Sequence, residues 1–499
     1  MKNYEVLIKG AGISIVGLIL SKIISYLTTV VIAKTGSSIL GLLNLGLSIV
    51  SFIAMISLLG LSGGVLRYVS YYLGKNDKKR IKGVMQGSLK ISLITGIITS
   101  ILVFIFSYNI AVDIFKKPEL VNVIRVFAFI IPLLIATEIF SSIMLSFKKI
   151  QYNVIIRDLT ERVFRFLIVI IFIYLGFSLN WIALGYVLGS LLTCILFLNL
   201  LRKKEFVLFD KKVKPDLDFK ELIIYSLPLI LVSLLSLLQK WADIFILGFY
   251  RSTNEIGVYS IAFSTASLLA IIPTALMSLF TPITTSLYAK NKIKDIKKIN
   301  TFITKWIFTF NLPFLLILIF FSKNLLRVVF GNEYLSGYLA LTILGCSYLL
   351  LSLTHVYSSN LLIIKKTKLL SVLVLISTLS NIILNILLVP KYGINGAAIS
   401  TLIATVLFLI LVMIYAFIYV RIQPLKLYFI KPLISGILAI IIMKYIYNLL
   451  PDKFLILIFS SLIMLIIYYG LLILFKSFSK EDLELIKTFK DRLKNLINR

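Results

Sequence analysis

Residues 10 to 33 read GAGISIVGLILSKIISYLTTVVIA, a run whose one charge is Lys22, set between Lys9 and Lys34. A helix rises about 1.5 Å per residue, so about twenty apolar residues cross the hydrocarbon core of a bilayer. This run is long enough, lacks a small-residue cleavage site and is followed at once by a second apolar block, so it reads as a mature transmembrane helix. The pattern repeats along the chain. Of 499 residues 60% are hydrophobic and the mean hydropathy is +1.03, beyond what a soluble domain takes up. A membrane β-barrel would alternate in short segments, whereas here the apolar residues arrive in blocks of about twenty.

Working outward, spans are expected near residues 11 to 33, 39 to 70, 84 to 108, 121 to 146, 154 to 175, 179 to 201, 221 to 249 and 256 to 285. Six more are expected near 301 to 321, 334 to 363, 368 to 389, 394 to 420, 428 to 449 and 453 to 475. The expectation is an all-α polytopic membrane protein of about 14 transmembrane helices. Lys and Arg near span ends stay on the cytoplasmic side. Alternate loops are rich in them: Lys75 to Lys82, Lys148 and Lys149, Arg202 to Lys220, Lys290 to Lys298, Lys365 to Lys368, and Arg421 to Lys431. The intervening loops are poor, which puts both termini in the cytoplasm of a multi-pass cell-membrane protein.

That distribution also disposes of nucleic acid as a partner, which a net charge of +31 first suggests. Nucleic-acid binding gathers charge on one soluble face, and here it is spread over loops where it fixes topology and meets anionic headgroups. Cys194 and Cys346 fall within spans and read as small packing residues, neither a disulfide framework nor a metal site. From Ser479 to Arg499, apolar residues recur at helical spacing among basic ones, the pattern of an amphipathic helix on the cytoplasmic membrane surface.

An internal repeat appears at an offset of about 216 residues: Gly41-Leu42-Leu43-Asn44 answers to Gly257-Val258-Tyr259-Ser260, and each precedes an apolar span that ends in a basic loop. Gly176 to Gly189 and Gly393 to Ala404 match at nearly the same offset. Since the offset covers an even number of spans, the two halves have parallel topology. The expected division is residues 1–201 as an N-terminal six-helix bundle, 202–220 as a cytoplasmic basic linker and 221–420 as a pseudo-symmetric second six-helix bundle. Residues 421–475 then hold helices 13 and 14, and 476–499 the tail.

The stretches Gly10-Ala11-Gly12-Ile13-Ser14, Gly41-Leu42-Leu43-Asn44-Leu45, Leu59-Gly60-Leu61-Ser62-Gly63-Gly64 and Tyr225-Ser226-Leu227-Pro228-Leu229-Ile230 resemble the polysaccharide-biosynthesis (Wzx-type) flippases. The most specific stretch is Ser380-Asn381-Ile382-Ile383-Leu384-Asn385, then Val389-Pro390-Lys391-Tyr392-Gly393-Ile394-Asn395-Gly396-Ala397-Ala398-Ile399-Ser400. The resemblance spans nearly the whole chain. It implies the fold of the multidrug, oligosaccharidyl-lipid and polysaccharide exporter superfamily, in which two six-helix bundles flank a cavity that opens to each side in turn. It also implies a lipid-linked glycan as substrate, membrane lipids and other polysaccharide-assembly proteins as partners, and no cofactor or metal.

The site is argued from charge, because a charged side chain inside a bilayer is expensive and usually meets water, a partner or a substrate. Lys22 lies halfway along the first span, and Lys240 holds nearly the repeat-related place in the seventh, with Asp243 one turn on. Asp158, Glu161, Arg162 and Arg165 share a face of the fifth span at i, i+3, i+4 and i+7. On one reading Lys22, Lys240, Arg162 and Arg165 form a hydrated basic chamber for a phosphate or pyrophosphate head group. On the other, Asp158 with Arg162, Glu161 with Arg165 and Lys240 with Asp243 neutralise one another, while Arg67 and Arg157 anchor at the interface. Glu138, Asn381, Asn385 and His355 complete the polar or coupling candidates; the asparagines also suit helix packing, and His355 a packing role.

The resulting expectation is a flippase, and no enzyme, for a polyprenyl-phosphate- or pyrophosphate-linked glycan. Two rivals stand beside it. A cation-coupled multidrug-type exporter would call for intramembrane carboxylates where this chain has Lys and Arg. A membrane glycan ligase or polymerase would call for acid/base pairs in sizeable outer loops, which are short here.

Overall fold

The computed structural model describes residues 2–203, 206–421, 427–447 and 454–477, so the amphipathic tail expected from Ser479 lies outside the described residues. All regular elements among them are helical. The chain runs through α1 (Lys2–Ala33), α2 (Ser37–Ser57), α3 (Leu61–Gly74), α4 (Lys78–Ile105), α5 (Leu120–Ala128), α6 (Ile130–Ser146), α7 (Ile150–Asn153), α8 (Glu161–Tyr174), α9 (Leu179–Leu201), α10 (Phe219–Ser226), α11 (Leu229–Tyr250) and α12 (Thr253–Ala266). It continues through α13 (Ile271–Ala289), α14 (Ile293–Phe320), α15 (Ser322–Leu325), α16 (Tyr338–Ile363), α17 (Thr367–Val420), α18 (Ile430–Tyr447) and α19 (Phe454–Leu474).

The helices are built for lipid. On α4 the residues turned inward include Ser88, Ser92 and Gly96, while Ile94, Ile101 and Ile105 are 59%, 53% and 62% exposed. Small and polar inside with large and apolar outside inverts the pattern of a soluble helix, and lets membrane helices approach closely. Among the described residues ten helices are long and apolar enough to cross a membrane, or eleven with the pair α5 and α6, bent by 44°. The protein is a multi-pass membrane protein of the expected all-α class.

The spans are less regular than hydropathy suggests. The second expected span breaks between α2 and α3, where Leu59 and Gly60 take φ of 53° and 67°. The eleventh and twelfth join in α17, whose 54 residues exceed one bilayer crossing; the chain leaves helical geometry at Gly393 (φ 56°, ψ −134°). The fifth opens with a π-helical stretch, Val154–Thr160, between α7 and α8. Pro228 stands at the N-cap of α11, and Pro132 and Pro273 in the first turns of α6 and α13, where a missing N–H costs no helix bond.

The chain packs as two compact units, one of Met1–Thr265 with Val374–Thr401, the other of Ala266–Leu373 with the residues from Leu402 on. In the first, α11 runs along α2, α1 packs on α8 and the π stretch, and α6 lies against α3, α4 and α9. The first turns of α2 and α12, which the 216-residue offset pairs, touch reciprocally. A Cβ on Gly41 would stand 1.9 Å from the Thr253 carbonyl oxygen, and one on Gly257 would stand 1.9 Å from that of Ser37. Ser38 Oγ and Thr253 Oγ1 lie 2.6 Å apart, and Ser37 Oγ donates to Asn254 Oδ1 at 2.9 Å. The linker beyond residue 205 is strapped to α4: Lys82 Nζ donates to the carbonyls of Asp210 (2.7 Å) and Val213 (2.8 Å), and Gln86 to that of Leu208 (2.8 Å).

In the second unit α14 and α16 are joined by buried amides, with Asn300 and Asn360 bonded to each other and Asn311 donating to Ser352 Oγ at 3.1 Å. Polar links of this kind hold membrane helices together. Both cysteines are free thiols, Cys194 buried and Cys346 partly so.

Candidate functional site

The first unit holds an open cavity of about 320 Å³ whose lining includes Ser51 and Met55 of α2, Leu134 and Glu138 of α6, and Lys240 and Trp241 of α11. Lys240 exposes its side chain to this space and places Nζ 4.8 Å from the centre of the Trp241 ring, a cation–π contact. Around it stand the charges of the fifth span. Arg157 holds Glu138 through both guanidinium nitrogens, one at 3.3 Å, and donates to Ser141 Oγ at 3.2 Å. Arg165 Nη1 donates to Glu161 Oε1 at 2.8 Å while its guanidinium lies over the Tyr186 ring at 4.7 Å. Arg162 Nη2 is 3.8 Å from Asp158, and its Nη1 donates to Ser21 Oγ of α1 at 2.8 Å.

The bond to Ser21 brings Arg162 beside half-buried Lys22, the next residue of α1, and the two cations are electrostatically coupled. Lys240 feels the charges of Arg157, Arg162 and Arg165 as well as that of Glu138. Five cations therefore meet three carboxylates, Glu138, Asp158 and Glu161, each already committed to an arginine. Among the described residues neither Lys22 nor Lys240 has a carboxylate within salt-bridge distance. Like charges in a partly buried site repel one another, so this group carries a surplus of positive charge.

The structure thus puts Lys240 and Glu138 on one cavity within the field of the fifth-span arginines, and sets Lys22 beside Arg162. Asp243 behaves differently. It is buried one turn on from Lys240 in α11, and its oxygens accept four bonds: Oδ2 from Tyr259 Oη and from Thr401 Oγ1 at 2.7 Å, Oδ1 from Asn385 at 2.8 Å and Asn381 at 3.3 Å. The pairing of Asp243 with Lys240 does not form. Four neutral donors replace the expected cation, and Asn385 Oδ1 stays buried without a partner. Arg157, carried by the π-helical stretch ahead of α8, is paired with Glu138. Arg67 stacks over the Tyr225 ring at 4.7 Å, and His355 is exposed on α16 in the second unit.

The family model described as Polysaccharide biosynthesis protein matches residues 7–288, more than half of the chain. The chain belongs to that family. A second model, described as MatE, matches residues 228–387. Within this kinship the chain is 23% identical over 428 residues to an uncharacterized membrane protein of Methanocaldococcus jannaschii, covering 80% of this chain and 82% of that one. It is 27% identical over 183 residues to the Probable low-salt glycan biosynthesis flippase Agl15 of Haloferax volcanii, covering 36% and 39%. Among solved structures, lipid II flippase MurJ in an inward closed conformation superposes with a TM-score of 0.73 at 18% identity, covering 92% of this chain and 98% of that one. At that identity the likeness speaks for the fold.

Sequence reasoning did not reach Ser21, Ser141, Tyr259 or Thr401. Hydroxyl side chains in spans are common and mostly bond their own helix, as Thr28 does to the Ile24 carbonyl, so only tertiary packing singles these out.

Proposed function

We propose that the protein is a flippase that moves a polyprenyl-phosphate- or pyrophosphate-linked oligosaccharide or polysaccharide precursor across the cytoplasmic membrane by alternating access. One observation carries this reading: among the described residues Lys22, beside Arg162, and Lys240, on the cavity and within the field of three arginines, both stand without a counter-carboxylate inside a membrane protein. Burying that surplus is costly unless an anion completes it, and a lipid phosphate is such an anion. Family membership supports the same class of cargo.

The obstacle in flipping is to take a polar head through hydrocarbon while the apolar tail stays in lipid. In this reading Lys22, Lys240, Arg162 and Arg165 hold the phosphate, and reorientation of the helices exposes the chamber to each side in turn. Asp243, with Asn381 and Asn385, is the coupling group. To take up a proton or small cation this carboxylate would give up one of its four neutral donors, and the unpartnered Asn385 Oδ1 beside it offers a further oxygen ligand. The basic loops place both termini in the cytoplasm, where other polysaccharide-assembly proteins would dock. A multidrug-type exporter would want an acidic chamber, and the excess here is positive. Ligase or polymerase chemistry would want an uncommitted carboxylate or histidine at the substrate, and Glu138, Asp158 and Glu161 are each held by an arginine.

The test is reconstitution in liposomes with a fluorescent polyprenyl-pyrophosphoryl sugar, run beside efflux of a cationic dye. Lys22→Ala and Lys240→Ala should each slow glycolipid movement at least tenfold, with no dye transport by the parent. Undiminished glycolipid movement in both variants would remove the site assignment, and robust dye efflux would favour the exporter.

A further inference from the structure

The three ion pairs of the chamber are not equivalent. Arg157 grips Glu138 with two nitrogens, and Arg165 bonds Glu161 at 2.8 Å with both side chains about one-sixth exposed. Arg162 stands 3.8 Å from Asp158, outside hydrogen-bond distance, and spends its close contact on Ser21 Oγ. That serine is itself fixed, fully buried and donating to the Leu18 carbonyl at 2.8 Å, so the guanidinium is held towards α1 and Lys22, away from its own carboxylate. Asp158 also belongs to the π-helical stretch, a rare geometry found frequently at functional sites. Its other close charges are Arg157, already engaged, and the like charges of Glu161 and Glu138.

We infer that Asp158 is a resident counter-anion: it neutralises Arg162 while the chamber is empty, and the phosphate of the cargo displaces it. The inference rests on the basic-chamber reading and adds a division of labour within it. Glu138 and Glu161 hold their arginines in place; Asp158 competes with the cargo. Without such a competitor the chamber would bind phosphate more tightly and release it more slowly, and the empty carrier would have to reorient with an extra bare charge. Asp158 is therefore a specificity-setting residue for turnover, trading affinity against release.

The experiment measures half-saturation and maximal rate of glycolipid movement in proteoliposomes, using the same fluorescent polyprenyl-pyrophosphoryl sugar, for the parent and two variants. Asp158→Asn keeps the shape and removes the charge; it should lower both the half-saturating concentration and the maximal rate by about fivefold, the scale of one partly exposed ion pair. Asp158→Glu reaches one methylene further towards Arg162 and should raise the half-saturating concentration instead. A purely structural role would lower the maximal rate in both without splitting the half-saturation values in opposite directions, and that result would overturn the inference. Because the two substitutions act with opposite sign, poor assembly of one leaves the other decisive. Unchanged kinetics in both, with Lys22→Ala still defective, would discard the role of Asp158 and leave the chamber standing. Lys22→Ala and Lys240→Ala indistinguishable from the parent would discard the chamber itself.

Discussion

The carbonyl oxygen of Thr253 occupies the space beside Gly41 so fully that a Cβ there would lie 1.9 Å from it, and Ser37 does the same to Gly257. The reciprocity links the first turns of α2 and α12, so each supplies the glycine that the other's carbonyl requires. Gly41→Ala and Gly257→Ala should each push the turns apart. Overpacking of this kind costs about 1–3 kcal/mol, read as a lower unfolding temperature in detergent. Ser38→Cys with Thr253→Cys replaces hydroxyls 2.6 Å apart. Mild oxidation should then protect both thiols from maleimide until reduction restores them. Thiols that remain reactive after oxidation would mean that these turns do not meet.

Asp243 of α11 gathers four donors from two other helices, Tyr259 of α12 and Asn381, Asn385 and Thr401 of α17. Donors to an ionised acceptor contribute about 1.5–3 kcal/mol each, and donors left unpaired by truncation forfeit their desolvation as well. Asp243→Ala should therefore destabilise the protein far more than Asn381→Ala, whose bond is the longest of the set at 3.3 Å. Thermal unfolding of the purified variants measures the difference. Equal losses would show that the carboxylate is not the hub of the network.

How much of this was legible in the sequence follows from what kind of signal each feature leaves. The membrane class and the positions of the helices were readable, because crossing a bilayer demands long apolar runs whatever the neighbours are. Breaks inside spans were not. The π-helical stretch before Glu161 and the interruption at Leu59 and Gly60 leave no mark in hydropathy. The charged residues of the chamber stood out since each is expensive in lipid, yet their partners depended on register. Arg157 reaches Glu138 across 19 positions of sequence, and Asp243 meets Thr401 across 158. No helical spacing rule connects residues so far apart.

Arg251 acts at the break in α17. Its guanidinium donates to the carbonyls of Val389 at 2.9 Å and 3.1 Å and of Pro390 at 2.8 Å, just ahead of Gly393, where the chain departs from helical geometry and helix carbonyls lose their usual partners. A lysine offers one point of charge and cannot span both carbonyls as a planar guanidinium does. Arg251→Lys should recover only part of the stability lost in Arg251→Ala. Hydrogen exchange of the amides around residues 389 to 396 should rise in the order parent, Lys, Ala. Parent-like exchange in the Ala variant would remove Arg251 as the cap.

The pair of Arg157 and Glu138 offers a test that separates stability from transport. Both side chains are about one-third exposed, at 37% and 34%, so solvent screens their attraction and the coupling should be modest, about 1 kcal/mol in a double-mutant cycle. The signs of the single losses are more telling. Arg157→Met leaves Glu138 facing the cavity as an unpaired anion, directly competing with a phosphate near Lys240, whereas Glu138→Gln frees a guanidinium to bind one. Arg157→Met should therefore weaken glycolipid binding in the liposome assay, Glu138→Gln should strengthen it, and combining the two should return binding close to that of the parent. If both single variants weaken binding alike, the pair serves only to hold α6 against the fifth span, and the cavity beside Lys240 is not where the head group sits.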